Sequence, residues 1–515
     1  MKLHIGLTSS SAGWQTILQQ EGVPFSVLVS PDQLNVEGFS VVVVNDNSPK
    51  RWKGMLDGYL RAGGALLMTG ENYQRHFARE GKRKSIRFLR GEPGSRFERI
   101  GLVDIFSTGT IYQDARLCPT NDGLPSVVVE RVGNGIITVF PVDPGELVLD
   151  ARTTQKYFYS PGGRHPSEHV SLVSRGGIRR MVHAALEYLH NERGLPYCHV
   201  WYFPDGAENV FAVRVDSDYG THDEIESVYQ FAEDHQIKLS WYLHTESHKS
   251  WLSRFASMDG HEIGIHCNEH AILKSYAGSR ADIMKARELV QQQGISPVGF
   301  VAPFGVWSSE LGKAIEEFGF LYSSEFSFDY DNLPSYPWMG AAWNSVLQIP
   351  IHPICIGSFR RLGSGINEMI EYFSRVVAWK RAVQEPLLFY HHPKDGCHPV
   401  LEFLIDALKR SGARSLLFRD FAAWWKERFS MNLAVEFDKS GLAIEGSLSP
   451  RVSLHITKGT QEALVPSGLS IDFSKVQWRE KMPVPSLPVD ITSIRSFSLH
   501  KTVGAFWTVL RRKQK

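Results

Sequence analysis

The 515-residue chain has few cysteines, no long apolar run and no excess of charge. Its five cysteines (Cys118, Cys198, Cys267, Cys355 and Cys397) are odd in number and scattered. That argues against a disulfide framework and suits a reducing compartment. No apolar stretch approaches the roughly 18 residues needed to span a bilayer. The N-terminal MKLHIGLTSSSAGW lacks the apolar core of a signal peptide, so a soluble, cytoplasmic protein is expected. Lys and Arg number 56 against 55 Asp and Glu, a balance that gives no reason to expect nucleic acid. Composition sets no oligomeric state. A hydrophobic fraction of 43% is ample for several cores. At roughly 100–200 residues per domain the chain predicts two to four domains.

Strand and helix patterns alternate over residues 1–155. KLHIGLT, FSVVVVND and GALLMTG are short apolar runs suited to buried parallel strands. WKGMLDGYLRAGG reads as an amphipathic helix with a glycine stop, and GNGIITVFPVD as a late strand. A three-layer α/β domain accommodates this order. With YLRAGGALLMTGEN, it resembles the class I glutamine amidotransferase-like fold. That family carries a nucleophilic Cys after a central strand; here Thr69-Gly70-Glu71 follows the strand and no Cys precedes Cys118. The resemblance therefore implies the fold without amidase chemistry. Residues 156–205 read as a connector containing the amphipathic helix RRMVHAALEYLHNERG.

Residues 206–430 return to βα alternation, with eight candidate strands from VFAVRVD to ARSLLF. Such a run predicts a (β/α) barrel with functional residues at the C-terminal strand ends. Residues 431–515 alternate apolar and polar positions between glycine turns, which predicts a small antiparallel β domain. Its last stretch, VGAFWTVLRRKQK, is apolar then basic: a frayed tail, with contact to an anionic membrane surface as the minor alternative.

The strand ends carry the chemistry. VFAVRVDSDYG places Arg214 and Asp216 on one strand face, with Asp218 following. Two carboxylates ending a buried strand want a cation, because isolated buried carboxylates are costly. GHEIGIHCNEH supplies His266 and His270, which share a side if the chain turns helical after the strand. His261 opens the same strand at its other end, a structural position. PLLFYHHPKDG ends in His391 and His392, of which only one can point inward easily. Two histidines and a carboxylate with open positions make a catalytic metal site in chemical terms.

These residues, in order, resemble the polysaccharide deacetylase family (carbohydrate esterase family four), whose fold is a distorted (β/α) barrel. RVDSDYG is similar to its Asp-rich first motif, GHEIGIHCNEH to its His-x-x-x-His motif, VAPFG to Arg-x-Pro-Tyr/Phe-Gly, and LLFYHHP to its last His motif. The resemblance implies that Asp218, His266 and His270 hold a divalent metal, with Zn the first choice. It implies Asp216 as general base and His392 as general acid, with His391 as rival. It also implies that Pro303, Phe304 and Tyr390 contact a carbohydrate substrate. Asp-Ser-Asp replaces adjacent aspartates, which leaves the labels on Asp216 and Asp218 exchangeable. Val301 stands where the family has Arg; Arg214, on the same strand face as Asp216, is the expected substitute. Trp307, Trp338 and Trp343 are candidates for sugar stacking at the barrel mouth. The expected reaction is removal of an N-acetyl group from an amino sugar or glycan precursor. The alternatives are hydrolysis of a non-sugar C–N bond on the same scaffold and a non-catalytic carbohydrate-binding or scaffold protein.

Overall fold

Four consecutive valines, Val41–Val44, form a fully buried strand inside the first sheet. β-Branched side chains pack well on a pleated surface covered on both faces. The strand order is Phe25–Val27, Ile5–Leu7, Val41–Val44, Ala65–Thr69, Gly135–Phe140, Val128–Val132. All neighbours run parallel except the last pair. Alternation splits the valines: Val41 and Val43 pack with Trp14, Ile17 and Leu18 of helix Ala12–Glu21, whereas Val42 and Val44 pack with Trp52 and Leu56 of helix Pro49–Arg61. Three layers result. The computed structural model describes residues 1–46, 49–396 and 398–495. Cys397 and the C-terminal VGAFWTVLRRKQK, with its suggested membrane contact, lie outside the described residues. Among the described residues no helix is long and apolar enough to cross a membrane.

The segment read as a connector does more than connect. Its helix, Arg175–Glu192, buries Ile178, Met181, Val182 and Leu186 in the same cluster as Val41 and Val43. An amphipathic helix needs an apolar surface to cover, and the first sheet supplies it.

The central sheet is parallel throughout and curled. Its order is Leu347–Gln348, Tyr322–Ser323, Gly299–Phe300, Glu262–Cys267, Ser240–His244, Val210–Asp216, Leu387–His391, and the short Arg414–Ser415 also pairs with Val210–Asp216. The sheet does not close between its two outer strands, so the barrel is open on that side. Period-2 alternation again divides the core. Val213, Val215, Trp241 and Leu243 face the helices; Ala212, Tyr242, Val301, Tyr322 and Leu388 face inward.

The C-terminal strands do not form a self-contained domain. Ser453–Lys458 pairs antiparallel with Tyr197–Val200 from the connector. Leu433, Val435, Leu454 and Ile456 join the cluster that fills the barrel interior. The alternating pattern was legible, but its pairing partner lies more than 250 residues earlier.

Candidate active site and metal centre

Asp216 and Asp218 end the Val210–Asp216 strand and the turn after it. Ser217 between them is fully buried and points the other way. Its hydroxyl accepts from the His244 backbone N–H at 2.9 Å and lies 2.8 Å from His248 Nε2. The Asp218 carbonyl takes hydrogen bonds from His244 Nδ1 and the Ser247 hydroxyl, each at 2.9 Å. Asp218 adopts φ +43°, a left-handed conformation that Asp tolerates better than most residues. This anchored turn keeps both carboxylates at the site despite the residue between them.

Asp218 Oδ1 stands 3.3 Å from His266 Nε2 and 3.2 Å from His270 Nε2. The His266 ring is set by its other nitrogen: Nδ1 lies 2.8 Å from the Val301 carbonyl, which can only accept. A neutral His266 therefore turns a lone pair, not a proton, toward the Asp218 carboxylate. Asp218 Oδ1 and His266 Nε2 are buried and have no hydrogen-bond partner among the described residues. Two acceptors aimed at one point want a cation between them. The spacing fits one: tetrahedral zinc with ligand distances of roughly 2.0–2.2 Å separates its N and O ligands by about 3.3–3.5 Å. The three residues could thus hold a divalent metal.

His270 reaches this point from a loop, not from the helical turn its spacing suggested. The strand ends at Cys267 and the next helix starts at Tyr276. From that helix Asp282 accepts the backbone N–H of Asn268 at 2.9 Å and of Glu269 at 2.8 Å, which ties the loop down. His261 is structural, as its place at the far end of the strand implied. Its Nδ1 accepts from the Leu239 N–H and Trp241 Nε1, and its Nε2 faces Glu233 at 3.0 Å.

Asp216 is held differently. Arg214 Nη2 donates to Asp216 Oδ2 at 2.8 Å, while Nη1 donates to the Ser324 carbonyl at 2.8 Å. Asp216 Oδ1 is buried and has no hydrogen-bond partner among the described residues. Val301 is buried in the barrel interior, so Arg214 is the cation that meets this carboxylate.

Strand register separates the two adjacent histidines. Tyr390 sits beside Arg214 and His391 beside Val215. His391 consequently turns outward into the helix-covered layer, fully buried, with neither ring nitrogen hydrogen-bonded among the described residues. Burial lowers its imidazole to about 3. His392 turns to the site, with Nε2 3.8 Å from Asp218 Oδ2 and Nδ1 3.1 Å from Asp395 Oδ2. Burial works against a charge there, but the hydrogen bond to Asp395, with Cys355 and Asp218 nearby, outweighs it and raises His392 well above its ordinary range. Lys394 Nζ, 3.6 Å from Asp218 Oδ2, is more exposed and marks the open edge.

Phe304, at φ +59°, presents its ring to His270 with centroids 4.7 Å apart, next to the buried Pro303. Tyr390 is buried and its hydroxyl donates to the Pro353 carbonyl at 3.0 Å. That places Tyr390 as a wall beneath Arg214 and His392, with its polar atom already engaged. The tryptophans are elsewhere. Trp307 and Trp338 line a cavity of about 60 Å³ against Thr16 and Gln20 of the first domain, and Trp343 packs on Trp338. All three are half-buried there and away from the candidate metal ligands, so the side of the barrel they occupy was not legible in the sequence. Ser217, His244, Asp282 and Asp395 went unread as site residues, although Ser217, between the two aspartates, and Asp395, three residues after His392, lay within stretches already singled out.

A mixed α/β protein with a curled, open parallel sheet is the class this architecture defines. Residues 206–323 match the family described as Polysaccharide deacetylase. No curated protein matches the chain. Among solved structures, a candidate polysaccharide deacetylase from Mycobacterium smegmatis is 18% identical over 44% of this chain and 92% of its own, with a TM-score of 0.38. An allantoinase is 14% identical over 44% and 92%, with a TM-score of 0.36. A carbohydrate esterase family four pseudoenzyme from Bacillus anthracis is 15% identical over 42% and 65%, with a TM-score of 0.30.

Proposed function

We propose that the protein is a metal-dependent hydrolase that removes an N-acetyl group from an amino sugar or glycan precursor. The observation that carries this reading is the meeting of Asp218 Oδ1, His266 Nε2 and His270 Nε2 at one point, with Asp216 and His392 on its flanks. Asp218, His266 and His270 would hold a divalent cation, Zn as first choice; their N and O donors suit other divalent transition metals as well. When bound, such an ion acidifies a water and polarises the amide carbonyl. Asp216 is the general base, and its free Oδ1 takes the proton of the attacking water. Arg214 orients that carboxylate through the hydrogen bond to Oδ2. His392 is the general acid. Its Nε2, on the side facing Asp218, gives a proton to the leaving amine; Asp395 steadies the imidazolium from Nδ1. Pro303, Phe304 and Tyr390 shape the wall that the carbohydrate meets. The family match over residues 206–323 supports the reaction class. The test is a panel of N-acetylated amino sugars set beside non-sugar amides and cyclic ureides, assayed with metal-reconstituted protein. Turnover confined to the non-sugar compounds would overturn the sugar assignment.

A further inference from the structure

Cys355 has no part in that chemistry, yet its thiol lies against the proposed acid. It precedes the short helix Ile356–Arg360 and is 1% exposed. Its Sγ is 3.8 Å from His392 Nδ1, the ring nitrogen turned away from Asp218. Asp395 Oδ2 is 3.1 Å from the same nitrogen. Nδ1 carries one proton at most, and Asp395 takes it. Hydrogen bonding at Nδ1 therefore does not engage the thiol, whose Sγ also lies 3.6 Å from the Ser358 hydroxyl. Gly357 makes room for this arrangement: a Cβ there would come within 2.1 Å of Asp395 Oδ2. One thiol, one imidazole nitrogen and one carboxylate oxygen, all within 4.8 Å of one another, converge from two segments. In tetrahedral zinc, with Zn–S of roughly 2.3 Å, the S and N ligands stand about 3.6 Å apart and the N and O ligands about 3.3–3.5 Å apart. Both separations found here are close to those edges.

We infer that Cys355, His392 and Asp395 form a second cation site, selective for a thiophilic divalent ion such as Zn²⁺ or Cd²⁺, with the His392 ring between it and the first. Binding replaces the thiol proton of Cys355 and the Nδ1 proton of His392, both released to solvent, and converts Asp395 from hydrogen-bond acceptor to ligand. A cation on Nδ1 prevents His392 from holding protons on both nitrogens. Excess zinc then inhibits turnover; this consequence rests on the role proposed above for His392, whereas the binding itself does not.

The experiment is a Cd²⁺ titration of the full-length, metal-stripped protein, following bound metal per chain and the ultraviolet thiolate-to-cadmium band. The wild type is expected to take up two equivalents, one of them with the band. Cys355→Ala loses that equivalent and the band, and Asp395→Asn weakens it at least tenfold. His266→Ala combined with His270→Ala loses the other equivalent and keeps the band, so failure at the proposed catalytic metal is read separately. Cys355→Ser preserves volume and must also lose the band, which covers the case of an unstable alanine variant. A band that persists undiminished without Cys355, or Cd²⁺ uptake by the wild type with no band, overturns the site.

Discussion

Arg214 donates to Asp216 from two residues earlier on the same strand face, at 2.8 Å, inside the barrel. The guanidinium is fully buried, bonded to the Ser324 carbonyl and stacked 5.1 Å from the Tyr390 ring centroid. Removing one member of a buried pair leaves an uncompensated charge, at a cost of about 3–5 kcal/mol. Arg214→Ala is expected to lower kcat by about 10²-fold or more, the scale of a lost general base, with metal content unchanged. Adding Val301→Arg returns a cation from the segment that follows the Gly299–Phe300 strand, across the barrel interior, and is expected to recover part of the loss. Steady-state kinetics with metal analysis reads both. Unchanged turnover in Arg214→Ala would refute the positioning role.

The two aspartates separate by variant. Asp216→Asn keeps the metal and loses about 10²–10⁴-fold in kcat, as expected for a general base. Asp218→Asn loses the metal, because Oδ1 is the atom facing both His266 and His270. The reverse pattern in metal content would exchange the two labels.

As the proposed general acid, His392 must be protonated to act, so activity is expected to fall as pH rises through its pKa. Asp395 helps hold that pKa well above the ordinary histidine range. Replacing the carboxylate destabilises the imidazolium, and the pKa falls. Asp395→Asn is expected to move the alkaline limb of the kcat profile to lower pH by about one unit, the scale of one neighbouring charge. An alkaline limb that stays in place would remove His392 as the acid or Asp395 as its partner.

His391 makes a stability prediction independent of catalysis. Burial keeps it neutral down to about 3, whereas the unfolded chain takes up that proton near pH 6.5. Between these values the unfolded state binds more protons, so stability declines as pH falls, at up to about 1.4 kcal/mol per unit. His391→Phe removes that contribution. Urea midpoints at pH 7, 6 and 5 should fall less steeply in the variant; equal slopes would contradict the buried neutral state.

Much of the fold is legible because periodicity is local. Alternation in VFAVRVD, HEIGIH and PLLFYHH placed the strands and their faces, and with them the faces of Asp216 and His266 and the outward turn of one histidine of the pair. Partner choice is tertiary and was not legible. The helix Arg175–Glu192 announces an apolar face without naming the first sheet as its cover. The Ser453–Lys458 strand does not name Tyr197–Val200 as its partner. Cys355 meets His392 across 37 residues, with no motif to signal it. The loop geometry of His270 escaped as well, because it depends on Asp282 from the following helix.

Acetate release from N-acetylated amino sugars, measured on metal-stripped and metal-reconstituted protein, tests the central claim most directly. The prediction is acetate and free amine in equal amounts only after reconstitution, abolished by chelator and by His266→Ala. Protein carrying a full equivalent of metal on Asp218, His266 and His270 that releases no acetate from any of these sugars would contradict it.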